Sequence, residues 1–89
     1  MKRFANKTTE LIATTRFGGG IRQHITVTAY EIMQLLVACH SHQDIGVIGP
    51  INRFTKSDGL YGLHVEGKWF VTFQWSEDFG AYQIRLERR

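Results

Sequence analysis

Lys68-Trp69-Phe70-Val71-Thr72-Phe73-Gln74-Trp75 is the stretch whose reading decides the fold. Its side chains alternate strictly. Trp69, Val71, Phe73 and Trp75 share one face, and Lys68, Phe70, Thr72 and Gln74 share the other. A period of two is the mark of a β-strand, and apolar residues on both faces mark a strand flanked on both sides. Lys68 to Trp75 is therefore expected to be the central strand of a sheet. Toward the N-terminus, Leu60 to Val65 alternates more weakly, and Glu66-Gly67 between the two runs reads as a tight hairpin turn. Toward the C-terminus, 76–80 forms the next turn, with Gly80 supplying positive φ. Ala81 to Arg88 reads as the last strand. Plain alternation puts Tyr82, Ile84 and Leu86 on one face and Gln83, Arg85 and Glu87 on the other.

Before Pro50 the period changes to that of a helix. Residues 2–5 read as a short extended lead-in. Asn6 is placed to cap a first helix running from Lys7 to Thr14, with Leu11 and Ile12 inward. Gly18-Gly19-Gly20 reads as a flexible connection. It is not a phosphate loop, because no Lys-Ser/Thr pair follows and no apolar strand leads into it. Thr28-Ala29-Tyr30-Glu31 has the spacing of a capping box and opens a second helix. Ile32, Leu35, Leu36 and Cys39 form its apolar stripe, Met33 and Val37 widen it, and it ends near His40 to His42. The stretch 42–53 is left as one long loop. The expected architecture is α+β: two N-terminal helices packed on a three- to five-stranded antiparallel sheet, in one domain spanning 1–89.

The chain's 89 residues allow one modest core. The net charge of +3 permits contact with a few phosphates without demanding it, and Arg85, Arg88 and Arg89 gather at the end. The single cysteine, Cys39, excludes an internal disulfide and reads as a small apolar helix residue. His40-x-His42 has only Asp44 and His64 as further candidates, which is poor spacing for a metal site. No apolar run is long enough to cross a membrane, and no apolar segment follows the basic Met-Lys-Arg-Phe start, so a cytoplasmic protein is expected.

The order of these elements, together with particular residues, resembles the RelE/HigB toxins of bacterial toxin–antitoxin pairs. Phe4-x-x-Lys7-x-x-Glu10 is similar to the opening of HigB-type killer proteins, and Ala38-x-x-Ser41-x-x-Asp44-Ile45 to the segment after their long helix. Pro50-x-Asn52-Arg53-Phe54-x-Lys56-x-Asp58 resembles the stretch leading into their Leu-Lys-Gly-Asp motif. Trp69-x-Val71-x-Phe73-x-Trp75, an acidic turn and Gly80-Ala81-Tyr82 resemble the family's Trp-Arg-Ile-x-Phe-x-Trp and following Gly-x-Ala-Tyr. Two positions depart. Phe70 stands where the family usually has arginine, and the chain ends Leu86-Glu87-Arg88-Arg89 where HigB-type members end Asp-Tyr-His.

The resemblance implies a RelE-like fold and a ribosome-dependent mRNA endoribonuclease. The 2′-hydroxyl attacks the adjacent phosphate while basic residues stabilise the charge, with no metal or other cofactor. The implied partners are a cognate antitoxin, often with a helix-turn-helix, the ribosome and its mRNA. Operator DNA would be met only through the antitoxin complex, and no membrane is involved. The residues assigned to catalysis are Arg53, His64, Arg85 and Arg88, and those assigned to RNA contact are Lys56, Lys68 and Arg89. His64 also has the plainer reading of a strand-surface histidine, and Arg53 and Lys56 that of a solvated loop and edge. Glu87 and Tyr82 are alternatives for the proton acceptor. Two rival functions stay open: a non-catalytic RNA- or protein-binding module on the same fold, and a small structural or assembly protein.

Overall fold

The computed structural model describes residues 3–53 and 59–89. Lys56, with Phe54 and Asp58 of the motif quoted above, lies outside the described residues. The chain is α+β, with two N-terminal helices on a four-stranded antiparallel sheet of order β1-β2-β3-β4. The strands are β1 (Ile51–Arg53), β2 (Tyr61–Glu66), β3 (Trp69–Ser76) and β4 (Gly80–Arg88).

β3 pairs with β2 on one side and β4 on the other, so the strand that decides the reading does sit between two partners. Its middle is buried on both faces: Val71 and Phe73 are 0% exposed and Thr72 is 2% exposed. The Thr72 hydroxyl donates to the Arg85 carbonyl at 3.4 Å. Gly67 takes φ +56 in the β2–β3 turn, the left-handed conformation that glycine tolerates without strain.

β4 departs from plain alternation. Gln74 pairs with Tyr82 and Thr72 with Arg85, so two residues, Gln83 and Ile84, oppose Phe73 alone. This is a β-bulge, and Gln83 takes φ +52 to make it. The extra residue shifts the phase. Ala81, Ile84 and Leu86 all reach the core, while Tyr82 is turned to the opposite face, beside Arg85 and Glu87. The expectation that Tyr82 shares a face with Ile84 and Leu86 is corrected by this one inserted residue.

The free edge of β4 is covered from the N-terminus. Phe4 bridges Ile84 in parallel, the Ala5 N–H donates to the Ile84 carbonyl at 2.8 Å, and the Ile84 N–H donates to the Arg3 carbonyl at 2.8 Å. The Leu86 N–H donates to the buried Thr9 hydroxyl at 3.2 Å. Thr9 belongs to α1 (Lys7–Thr15), which opens as expected with Asn6 accepting from the Thr9 N–H at 2.8 Å. Anchoring Thr9 to β4 fixes the rotation of α1. Ile12 and Ala13, three and four residues on, face the core, whereas Leu11 is 49% exposed rather than inward.

α2 (Gln23–Ala38) starts before the expected capping box. Thr28 lies within the helix, and its hydroxyl donates to the His24 carbonyl at 2.9 Å. The earlier start adds Ile25 to a buried stripe of Ala29, Met33 and Leu36, and Leu35 points to solvent. The Gln34 amide donates to the Ala13 carbonyl at 3.0 Å, tying the two helices together. Gly18 is more than a flexible link, since a Cβ there would meet Ile12 at 2.8 Å. Beyond α2, the supposed long loop contains a 3-10 turn (His42–Val47) whose Ile45 is fully buried, followed by β1. One core joins Ile12, Met33, Leu36 and Ile45 to Leu63, Val71, Phe73 and Ile84.

Two substitutions test this construction by urea unfolding. Thr9→Val keeps the shape but strands the Leu86 N–H, and is expected to cost about 1–3 kcal/mol. Gln83→Gly is expected to stay within about 1 kcal/mol of wild type, because glycine accepts the bulge conformation. Gln83→Val is expected to lose about 1–3 kcal/mol, because a β-branched residue is strained there.

Candidate nucleic-acid face

The helices cover the sheet face that carries Leu63, Val71 and Leu86. The opposite face carries no helix among the described residues, and Thr72 at its middle is itself buried. Its side chains follow from the register in cross-strand rows: Gln74 with Tyr82, Thr72 with Arg85, and His64 with Phe70 and Glu87. Thr72, Gln74, Tyr82, Arg85, Glu87 and Arg89 contribute to a shallow concavity of about 580 Å³.

Glu87 organises the charge on this face. Its carboxylate is 2.7 Å from the Arg89 guanidinium and 4.0 Å from that of Arg85. Partly exposed pairs of this kind contribute only ~0–1 kcal/mol to stability. Their effect here is geometric, holding two guanidinium groups about one carboxylate on the helix-free surface. The Arg89 N–H also donates to the Lys68 carbonyl at 2.8 Å, which brings the Lys68 turn to the same end of the sheet. His64 lies two strands from Glu87. Its Nε2 is 2.8 Å from the Gly67 carbonyl. A carbonyl only accepts, so this contact assigns the ring proton to Nε2 and leaves Nδ1 as the basic nitrogen. Phe70 stands between His64 and Glu87, with its ring centroid 5.2 Å from that of His64 in an edge-on arrangement.

The residues assigned from the sequence therefore separate. Arg85, Arg89, His64 and Lys68 belong to the helix-free face or its rim. Arg88 pairs with Trp69 in the helix-side row, its guanidinium 5.9 Å from the ring, and Arg53 pairs with Tyr61 at 5.8 Å. Both are one residue out of phase with the helix-free face. Tyr82 and Glu87, named only as alternatives, lie beside Arg85. The signal for Tyr82 was present in the chain: the apolar positions Ala81, Ile84 and Leu86 are spaced three and then two, which a regular strand cannot satisfy.

Among the described residues, no three His, Cys, Asp or Glu side chains stand together as metal ligands. The Asp44 carboxylate accepts from the backbone N–H groups of Ser41 and His40. No described helix is long and apolar enough to cross a membrane. Cys39 is half-buried, its thiol 3.2 Å from the Leu35 carbonyl, and its pKa is raised, first by burial and then by the Asp44 charge. That is the opposite of an activated thiol. No protein-family model matches the chain, and no curated protein matches it at a significant level.

Because the folded state holds the Cys39 thiol neutral, its contribution to stability is full below the thiol's unfolded-state pKa. It is lost as pH rises through the raised folded value. Alkylation of the native protein by iodoacetamide is therefore expected to reach half its maximal rate at a higher pH than alkylation of a free-cysteine peptide. A midpoint at or below that of the peptide would show an activated thiol.

Proposed function

We propose that the chain is a RelE/HigB-type toxin whose helix-free sheet face binds mRNA on the ribosome and promotes its cleavage. One observation carries the reading: Arg85 and Arg89 are held about Glu87 on a concave, helix-free face next to Tyr82. Guanidinium groups match phosphate oxygens in geometry and charge, and most protein contacts to nucleic acid fall on the backbone. The sequence resemblance supplies the reaction and the partners. A base, Glu87 or Tyr82, accepts the 2′-hydroxyl proton, and the 2′-oxygen attacks the adjacent phosphorus. The P–O5′ bond breaks, and the leaving oxygen takes a proton. Arg85 and Arg89 neutralise the charge that builds on the phosphoryl oxygens, and the groups already held in place need little rearrangement. His64 is the titratable group suited to return the proton. A cytoplasmic protein covered by a helical antitoxin is part of this reading.

A second reading, a non-catalytic RNA-binding module, is favoured by Phe70. It occupies the middle of the face, between His64 and Glu87, where the toxin family usually carries a charge. Expression from a tight promoter in a bacterial host separates the two. The toxin reading expects growth arrest and cuts in ribosome-bound mRNA, and Arg85→Ala is expected to lower cleavage about 100-fold. Arg53→Ala, on the other face, is expected to leave cleavage near wild type. Normal growth with intact mRNA at high expression would remove the nuclease and leave the binding module.

A further inference from the structure

We propose that a second anion site lies on the helix side of the sheet, where Arg22 and Arg88 line one cleft, and that it takes a phosphate monoester. The site is separate from the helix-free face and does not depend on the RNA reading of that face. The cleft, of about 290 Å³, is lined by Gly20, Ile21, Arg22, Ile25, Trp69 and Arg88. It forms where separate segments of the chain meet. Gly20 takes φ +80, the left-handed conformation that suits glycine, and turns the chain between the helices. The Ile21 N–H then donates to the Gly18 carbonyl at 3.2 Å. The Arg22 carbonyl accepts from the Ile25 and Thr26 N–H groups at 3.0 and 3.1 Å. On the sheet, Trp69 and Arg88 stand opposite each other on β3 and β4, with the guanidinium 5.9 Å from the ring.

Positive charge at this end of the sheet is left on these two side chains. The acids of the same end are engaged elsewhere. Glu66 is 2.6 Å from His24 Nε2, and Glu87 holds Arg85 and Arg89 on the opposite face. The first turn of α2 adds no acid. Among the described residues, neither Arg22 nor Arg88 has a carboxylate within ion-pairing distance. Both are exposed, so ligand can reach them. Two guanidinium forks present more donors than one carboxylate accepts. A phosphate monoester offers three terminal oxygens and a charge of about −1.5 to −2 at neutral pH, which suits the pair. Ile21, Ile25 and Trp69 supply an apolar wall for the organic part of the ester. The fixed backbone of the cleft reduces the ordering cost of binding. A small phosphorylated metabolite and the 5′-phosphate end of an RNA share this chemistry.

The test is NMR titration of the isotopically labelled full chain with inorganic phosphate, with chloride holding the ionic strength constant. Saturable amide shifts are expected at Ile21, Arg22, Trp69 and Arg88. Arg22→Gln and Arg88→Gln are each expected to weaken phosphate binding about tenfold. The rest of each variant's spectrum reports whether its fold is kept. Lys7→Gln removes one charge outside the cleft and is expected to leave phosphate binding unchanged, and acetate is expected to bind at least about tenfold more weakly than phosphate. No saturable shift, an equal response to acetate, or the same loss from Lys7→Gln would overturn the site. Fluorescence anisotropy with single-stranded RNAs ending in a 5′-phosphate or a 5′-hydroxyl then separates the two sources. Tighter binding of the phosphorylated RNA, lost in Arg22→Gln, places an RNA end in the cleft. Equal treatment of the two RNAs, with the phosphate shifts present, assigns the cleft to a small phosphate ester.

Discussion

The inserted residue at Gln83 is the constraint on which the rest of the sheet depends. A strand with its last apolar positions at Ala81, Ile84 and Leu86 cannot bury all three by regular alternation, since the first step is odd and the second even. Opposing Phe73 with both Gln83 and Ile84 resolves the conflict. The core then receives all three apolar side chains. The same phase change turns Tyr82 out beside Arg85 and Glu87. The feature that completes the core also assembles the polar face. A left-handed glutamine is the local cost, and the surrounding register fixes it.

The two faces of the sheet are thereby given different work. α1 and α2 cover one face, and the edge of β4 is occupied by residues 3–5 and by the Thr9 hydroxyl. The covered edge leaves little unpaired backbone beside Ile84 and Leu86 to recruit another strand. Among the described residues the other face carries no helix, and on it Glu87 holds two arginines beside Tyr82. A surface of this composition suits an extended, negatively charged chain with exposed rings. That is why single-stranded RNA, rather than a compact metabolite, is the ligand we assign to it.

The central strand was legible because its alternation runs unbroken through eight residues and its apolar character extends to both faces. The Asn6 cap was legible for a similarly local reason. Helix rotation was not, because it is set by a contact distant in sequence, the Thr9 hydroxyl on the Leu86 N–H, which takes Leu11 out of the core. The capping box at Thr28 misled because burial of Ile25 favours an earlier helix start over a good local cap. At the site, Arg85, Arg89, Lys68 and His64 could be named from residue type and position. Their separation from Arg53 and Arg88 depends on which face each strand position takes, and in β4 that depends on the bulge. The central position of Phe70 in a cross-strand row emerges from its pairing with Glu87 and His64.

The claim that joins these observations is that the helix-free face is the nucleic-acid face. Backbone amide chemical shifts of isotopically labelled protein, followed by NMR during titration with single-stranded RNA, test it most directly. The expected result is that changes concentrate at Phe70, Thr72, Gln74, Tyr82 and Arg85 and leave the exposed side of α2 around Leu35 unmoved. Changes centred on the helices, or a spectrum indifferent to RNA, would contradict the assignment.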